Sequence, residues 1–138
     1  MSDQLTLQCR ATAADLAQLL SQVDSFGQRQ GWTAHALSQV RLVLEELVVN
    51  IVSYGVQDGQ VPELALSLVQ QGLVLDMEIS DNGVAFDPLQ AAAPDLSADL
   101  DHRPVGGLGI FLVTQLADTL DYQRDGQWNR LRVSLSLR

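Results

Sequence analysis

Four short runs of the chain alternate apolar and polar residues, and that alternation limits the fold more than any other feature. In 4–10, Leu5, Leu7 and Cys9 share one side, and Thr6, Gln8 and Arg10 the other. In 64–69, Leu64, Leu66 and Leu68 share a side. In 73–80, Leu73, Leu75, Met77 and Ile79 oppose Val74, Asp76, Glu78 and Ser80. In 129–137, Leu131, Val133, Leu135 and Leu137 oppose Arg130, Arg132, Ser134 and Ser136. A period of two marks a strand with one buried and one wet face. Such strands belong in a sheet covered on one side only, as antiparallel sheets commonly are. The cover has helical spacing: Leu16, Leu19, Leu20, Val23 and Phe26 in 13–29, then a second helix from a Thr33 N-cap to about Tyr54. Residues 109–117 read as a third helix and 119–124 as a short strand. The expected fold is an α/β (α+β) two-layer sandwich, with a mixed, largely antiparallel sheet under about three helices. At 138 residues, it is expected to be a single domain spanning 1–138.

Charge and composition remove whole classes of function. Eight basic residues face 17 acidic ones, for a net charge of −9. All eight are Arg; without Lys there is no P-loop lysine and no Schiff-base amine. The acidic balance argues against direct nucleic-acid binding and against docking on an anionic membrane. The lone Cys9 excludes an internal disulfide and a multi-thiolate zinc site. No apolar run approaches the ~20 residues of a membrane span. The start Met1-Ser2-Asp3-Gln4 lacks a basic-then-apolar leader. A cytoplasmic protein is the expectation.

Three local features carry possible chemistry. On the second helix, Leu37, Val40, Leu44, Leu47, Val48 and Ile51 form the core stripe. Glu46 and Asn50, four apart, lie on a neighbouring stripe among Leu42, Val43 and Val49. A carboxylate and an amide bracketed by apolar residues need a partner: a metal ion, a water or a basic group. They could equally be a polar pair bridging helix and sheet. Glu45 pairs with Arg41 at i−4 as a surface contact. Next, Asp81-Asn82-Gly83 follows a strand and reads either as a plain turn or as a carboxylate aimed into a pocket. There Asp81 could accept from an exocyclic amine such as that of adenine, with Gly83 letting the backbone approach the ring. Finally, Gly106-Gly107-Leu108-Gly109 runs into the apolar helix Ile110-Phe111-Leu112-Val113. Glycines at a helix start cradle anions through backbone N–H groups, or serve as a hinge and a close packing point. Phosphate binding here would rest on those N–H groups, a metal and Arg103. The long aperiodic stretch from 84 to 105 reads as a lid over a ligand or as a surface insertion.

Taken in order, these features resemble the GHKL (Bergerat-fold) ATPase superfamily. The nearer resemblance is to the small anti-sigma-factor serine/threonine kinases of bacterial partner-switching systems. It spans residues 4–137, on EELVVN (45–50), SDNGVAFDP (80–88), RPVGGLGIFLV (103–113) and NRLRVSL (129–135). The resemblance implies a histidine-kinase-type ATPase fold that binds ATP and Mg²⁺. It implies Asn50 as the Mg²⁺ ligand, Glu46 as the catalytic base, and Asp81 with Gly83 as readers of adenine. Arg103, Gly106, Gly107, Leu108 and Gly109 would lie beside the phosphates. Ala85 and Tyr54 stand where the family pattern has a second glycine and a basic residue.

The implied function is Mg²⁺-ATP-dependent phosphorylation of a STAS-type anti-anti-sigma protein, coupled to capture of a sigma factor or other regulatory protein. A homodimer also follows from the resemblance, although no heptad or exposed seam shows it. The alternative is a nucleotide-gated binding module without phosphotransfer. A third reading is an acidic interaction domain whose glycines are only turns.

Overall fold

A computed structural model of the chain describes residues 3–54, 59–90 and 107–138. Its elements in order are β1 (Gln4–Arg10), α1 (Ala13–Gln30), α2 (Ala34–Tyr54), β2 (Glu63–Gln71), β3 (Val74–Asp81), a short 3-10 turn (Pro88–Gln90), α3 (Gly107–Leu116), β4 (Thr119–Asp125) and β5 (Trp128–Ser136). The five strands form one sheet in the order β1-β2-β3-β5-β4. All four pairings are antiparallel. The expected two-layer sandwich is therefore present, with a sheet that is antiparallel throughout.

Register follows from the alternation. Leu66 faces Ile79 and Leu68 faces Met77 across β2–β3, while Met77 faces Val133 and Ile79 faces Leu131 across β3–β5. A slip of one residue would turn this entire apolar set to water. These side chains are buried with Val23 and Phe26 of α1, Val40, Val43, Leu44 and Leu47 of α2, and Ile110 and Val113 of α3. The opposite face carries Ser67, Asp76, Glu78, Arg132 and Ser134. There Glu78 and Arg132 are cross-strand partners, 3.6 Å apart.

The helix ends are held locally. Thr12 Oγ1 accepts from the Asp15 N–H at 3.2 Å, and Thr33 Oγ1 accepts from the Ala36 N–H at 3.0 Å, as the N-cap reading of Thr33 requires. Gly31 ends α1 with φ 75°, and the Trp32 N–H returns to the Gly27 carbonyl at 2.9 Å. Trp32 then packs edge-on to Phe26 and donates its indole N–H to Gln70 Oε1 at 2.8 Å, tying the helix layer to β2. Three expected positions differ. Leu42 and Val49 stand on the exposed side of α2, and only Val43 of the three proposed flanking residues is buried. Leu73, expected inward on β3, lies in the Gly72-Leu73 turn and is 56% exposed.

Gly27 shows how tightly α1 meets Trp32. A Cβ there would lie 2.5 Å from Trp32 Cε3 and 3.1 Å from two further ring atoms. Gly27→Ala gains about 1 kcal/mol of helix propensity. Forcing a methyl against a rigid ring costs about 1–3 kcal/mol. The variant is expected to be less stable than the parent by up to about 2 kcal/mol in urea denaturation. A stabilised variant would show that the indole moves aside freely.

Candidate functional site

The pocket begins where the sheet's central strands meet α2. Asp81 is the last residue of β3, one position beyond the expected strand end, and pairs in register with Leu64 on one side and Asn129 on the other. Leu47, Asn50 and Ile51 of α2 form one wall of a pocket. Ile79, Asp81, Asn129 and Leu131 form its floor, and Val84, Phe86, Pro88 and Tyr122 its other side. The lining is apolar apart from a few convergent polar groups, as small-molecule sites are.

Asp81 is only 6% exposed. Its Oδ1 accepts from the Gly83 N–H at 2.9 Å and from Asn129 Nδ2 at 3.0 Å. The bond to Gly83 makes an Asx turn, and the same Asp81 lines the pocket. Asn82 completes the turn by accepting from the Glu63 N–H at 2.7 Å. Burial pushes the Asp81 carboxyl above the ordinary aspartate range, against the lowering effects of Asn129, the Gly83 N–H and Arg124.

Asn50 is 5% exposed, and its Nδ2 has no hydrogen-bond partner among the described residues. A buried amide left unpaired costs about 1–3 kcal/mol. Turning the amide about its last torsion exchanges Nδ2 and Oδ1. The same position can thus offer a donor to a phosphate oxygen or an acceptor to a cation. No cluster of three or more His, Cys, Asp or Glu side chains suited to a metal occurs among the described residues. That donor set does not make an all-protein cage. It fits Mg²⁺, which is commonly held by one or two protein groups together with waters and substrate phosphates.

Glu46 lies one turn before Asn50 and outside the pocket lining. Its carboxylate rests against Gly109, in the first turn of α3, where a Cβ would overlap it. Gly109 is therefore a close packing point that admits an acid beside a helix N-terminus. Helix α3 starts at Gly107, so Gly107, Leu108 and Gly109 form its first turn and not the loop before it. Arg103, Gly106 and the 91–105 part of the expected lid lie outside the described residues. The 84–90 part lies beside the pocket, where Val84, Phe86 and Pro88 line it.

Asn129 and Tyr122 were not singled out from sequence, although both line the pocket. Asn129 does stand on the apolar side of its alternating run, in frame with Leu131 and Val133. An amide on an inward face was the available signal.

The comparisons agree with this geometry. The histidine kinase-like ATPase domain matches residues 9–135. The chain belongs to the histidine kinase-like ATPase family. Within it, the chain is 33% identical to the serine/threonine-protein kinase BtrW of Bordetella bronchiseptica over 94% of this chain and 91% of the relative. It is 26% identical to the serine-protein kinase RsbW of Listeria monocytogenes over 91% of this chain and 82% of the relative. It is 27% identical to the RsbW of Bacillus thuringiensis over 70% of this chain and 62% of that protein. An ATPase-family chain of this kind has the fold expected from its alternating strands. No helix among its described residues is long and apolar enough to cross a membrane.

The raised Asp81 carboxyl sets a pH dependence. The folded protein holds this proton more tightly than the unfolded chain does. Its contribution to stability is present at low pH and is lost as pH rises through the folded value. Wild type minus Asp81→Asn is expected to lose stability with rising pH just above the ordinary aspartate range. Denaturant melts of the two proteins across pH 4–7 read that difference. A difference that stays flat or rises with pH would refute a carboxyl raised by burial.

Proposed function

We propose that the chain is an ATP-dependent protein serine/threonine kinase and that Asn50 and Asp81 mark its nucleotide pocket. The observation that carries this reading is a buried Asn50 amide, its Nδ2 unpartnered among the described residues, in the same apolar pocket as a buried Asp81. Nothing among the described residues repays the cost of that amide, whereas a bound phosphate–cation group would. Relatives named serine/threonine-protein kinase and serine-protein kinase support the choice of a hydroxyl acceptor.

In this reading the single domain is the whole phosphotransfer unit, with residues 84–105 as its lid. The apolar walls hold the adenine, and Asp81 with Gly83 orients its amino edge. Asn50 would hold Mg²⁺, which when bound neutralises charge on the phosphates. The α3 first turn, Gly107, Leu108 and Gly109, offers backbone N–H groups to the phosphates. Gly106 and Arg103 belong to the same proposed cradle. Glu46, one turn from Asn50, takes the proton of the incoming serine or threonine hydroxyl. That oxygen bonds to the terminal phosphorus as the bond to the ADP oxygen breaks. The acceptor is a STAS-type anti-anti-sigma protein, and the competing partner is a sigma factor or other regulatory protein.

Titration calorimetry with Mg²⁺-ATP, paired with labelled phosphate transfer to STAS-domain proteins of the same organism, tests this. Glu46→Gln is expected to keep nucleotide affinity within about twofold while transfer falls about 10²–10⁴-fold, as for a lost general base. Asn50→Ala is expected to weaken Mg²⁺-ATP more than adenosine. Gly109→Ala displaces only the flexible end of Glu46, so transfer falls while stability stays within about 1 kcal/mol. Wild type that binds no Mg²⁺-ATP overturns the proposal. Binding without transfer to any such protein favours a nucleotide-gated module instead.

A further inference from the structure

Eight large apolar side chains are exposed among the described residues, and four of them stand on two helices that pack together. They are Leu42, Val49 and Val52 on α2 and Leu112 on α3, each 36–44% exposed. Single exposed apolar residues are ordinary, whereas a group of them marks a contact surface. At about 3.6 residues per turn, Leu42 lies about 40° and Val49 about 60° to one side of Glu46, and Asn50 about 40° to the other. Asn50 lines the pocket. Glu46 is half-buried and stands between the pocket and the apolar stripe. Its carboxylate meets α3 at Gly109, and Leu112 follows within one turn on the exposed side of α3. The apolar group therefore borders this carboxylate from the side away from the pocket.

The position and charge of the stripe select what covers it. A helix face is convex, and small molecules take concave sites. The net charge of −9 and the exposed Glu45 on the same face disfavour an anionic membrane. A second copy seated over α2 would close the outer approach to Glu46, so self-association through this face and transfer to a protein hydroxyl would exclude each other. Transfer to a protein needs the reverse: a hydroxyl brought to the carboxylate, with the surface around that hydroxyl resting on the kinase beside it.

We infer that Leu42, Val49, Val52 and Leu112 form the docking surface for the protein that accepts the phosphate, and that this protein presents its serine or threonine from an apolar patch. The inference rests on the kinase reading above and adds where the acceptor sits and what its contact surface is made of. The nucleotide occupies the pocket flank of Glu46 and the acceptor its outer flank, so the two substrates reach one carboxylate from opposite sides. The hydroxyl proton passes to Glu46, and the hydroxyl oxygen bonds to the terminal phosphorus as the bond to the ADP oxygen breaks. Leu42 and Val49, nearest Glu46 on α2, set how well the acceptor binds. They touch neither the pocket nor the nucleotide.

Initial rates of phosphate transfer from Mg²⁺-ATP to STAS-domain proteins of the same organism, with acceptor concentration varied, test this. Leu42→Ser/Val49→Ser is expected to raise KM for the accepted protein about tenfold or more, the scale set by lost burial of two aliphatic side chains. Its Mg²⁺-ATP affinity by calorimetry is expected to stay within about twofold of wild type. Leu112→Ser is expected to raise KM in the same direction but less, and it decides the matter if the double variant does not fold. Leu73→Ser removes a more exposed leucine at the β2–β3 turn, the far end of β3 from Asp81, and is expected to leave KM unchanged. An acceptor KM within about twofold of wild type in the α2 and α3 variants overturns the inference and leaves the kinase reading intact. So does an equal rise in Leu73→Ser. An unchanged KM with a wild-type dimer that becomes monomeric in the double variant, read by sedimentation, would assign the face to a second copy and overturn the inference too. Wild type that binds Mg²⁺-ATP and transfers phosphate to none of these proteins would overturn the kinase reading and this inference together.

Discussion

The site depends on the antiparallel pairing of β3 with β5. That register sets Asp81, at the end of one strand, opposite Asn129, near the start of the other. It is maintained far from the polar groups, by Leu75 against Leu135, Met77 against Val133 and Ile79 against Leu131. Because side chains alternate with period two, a one-residue slip of either strand would turn its member of the Asp81–Asn129 pair to the wrong face. The apolar core thus sets the position of a carboxylate to within a hydrogen bond. No local turn chemistry could do this alone, since the two residues are 48 positions apart in sequence.

Once paired, the two residues organise the chain that leaves β3. Asn129 holds the Val84 carbonyl and the Phe86 N–H. Arg124, on β4, donates to the Gly83 carbonyl at 3.0 Å. The β4–β5 hairpin therefore clamps residues 83–86, and Val84 and Phe86 are delivered to the pocket wall as a result. Two structural links converge here. Backbone polar groups in an irregular segment need partners if they are buried, and the partners that satisfy them are the same side chains that orient Asp81.

Much of the fold and part of the site could be read from local pattern. Leu64, Leu66 and Leu68 announced a half-buried strand because their period is two, and all three are buried. Thr33 announced a helix start because a hydroxyl before an apolar stripe is a cap. Leu73 misled because alternation alone does not see the turn. Gly72, with φ 60°, closes the β2–β3 hairpin one residue later than the apolar frame implies. Asp81 could be singled out because Asp-Asn-Gly follows a strand, and Glu46 and Asn50 because each is polar where its surroundings are apolar. Asn129 meets the same criterion, yet its partners come from β3, β4 and the 84–86 segment. Its role needs the strand order β3-β5-β4, which periodicity does not contain. The contact of Glu46 with Gly109 is likewise tertiary. A glycine in a helix start reads as anion cradle or hinge from sequence, and only the approach of α2 shows that its missing side chain is space for a carboxylate.

The contrast between Asn129 and Asn50 separates structure from function within one pocket. Both amides are about equally buried, at 6% and 5% exposure. Asn129 has four partners and stabilises the framework. Asn50 Nδ2 has none among the described residues. A side chain that contributes nothing to the folded state at that atom, and costs about 1–3 kcal/mol there, is better matched to something that binds. Such a ligand would return that cost on binding and would stabilise the folded chain in proportion to the logarithm of its concentration over its dissociation constant. The two asparagines thus differ in kind: the satisfied one holds Asp81 and the 84–86 segment in place, and the other keeps an Nδ2 that no described residue satisfies.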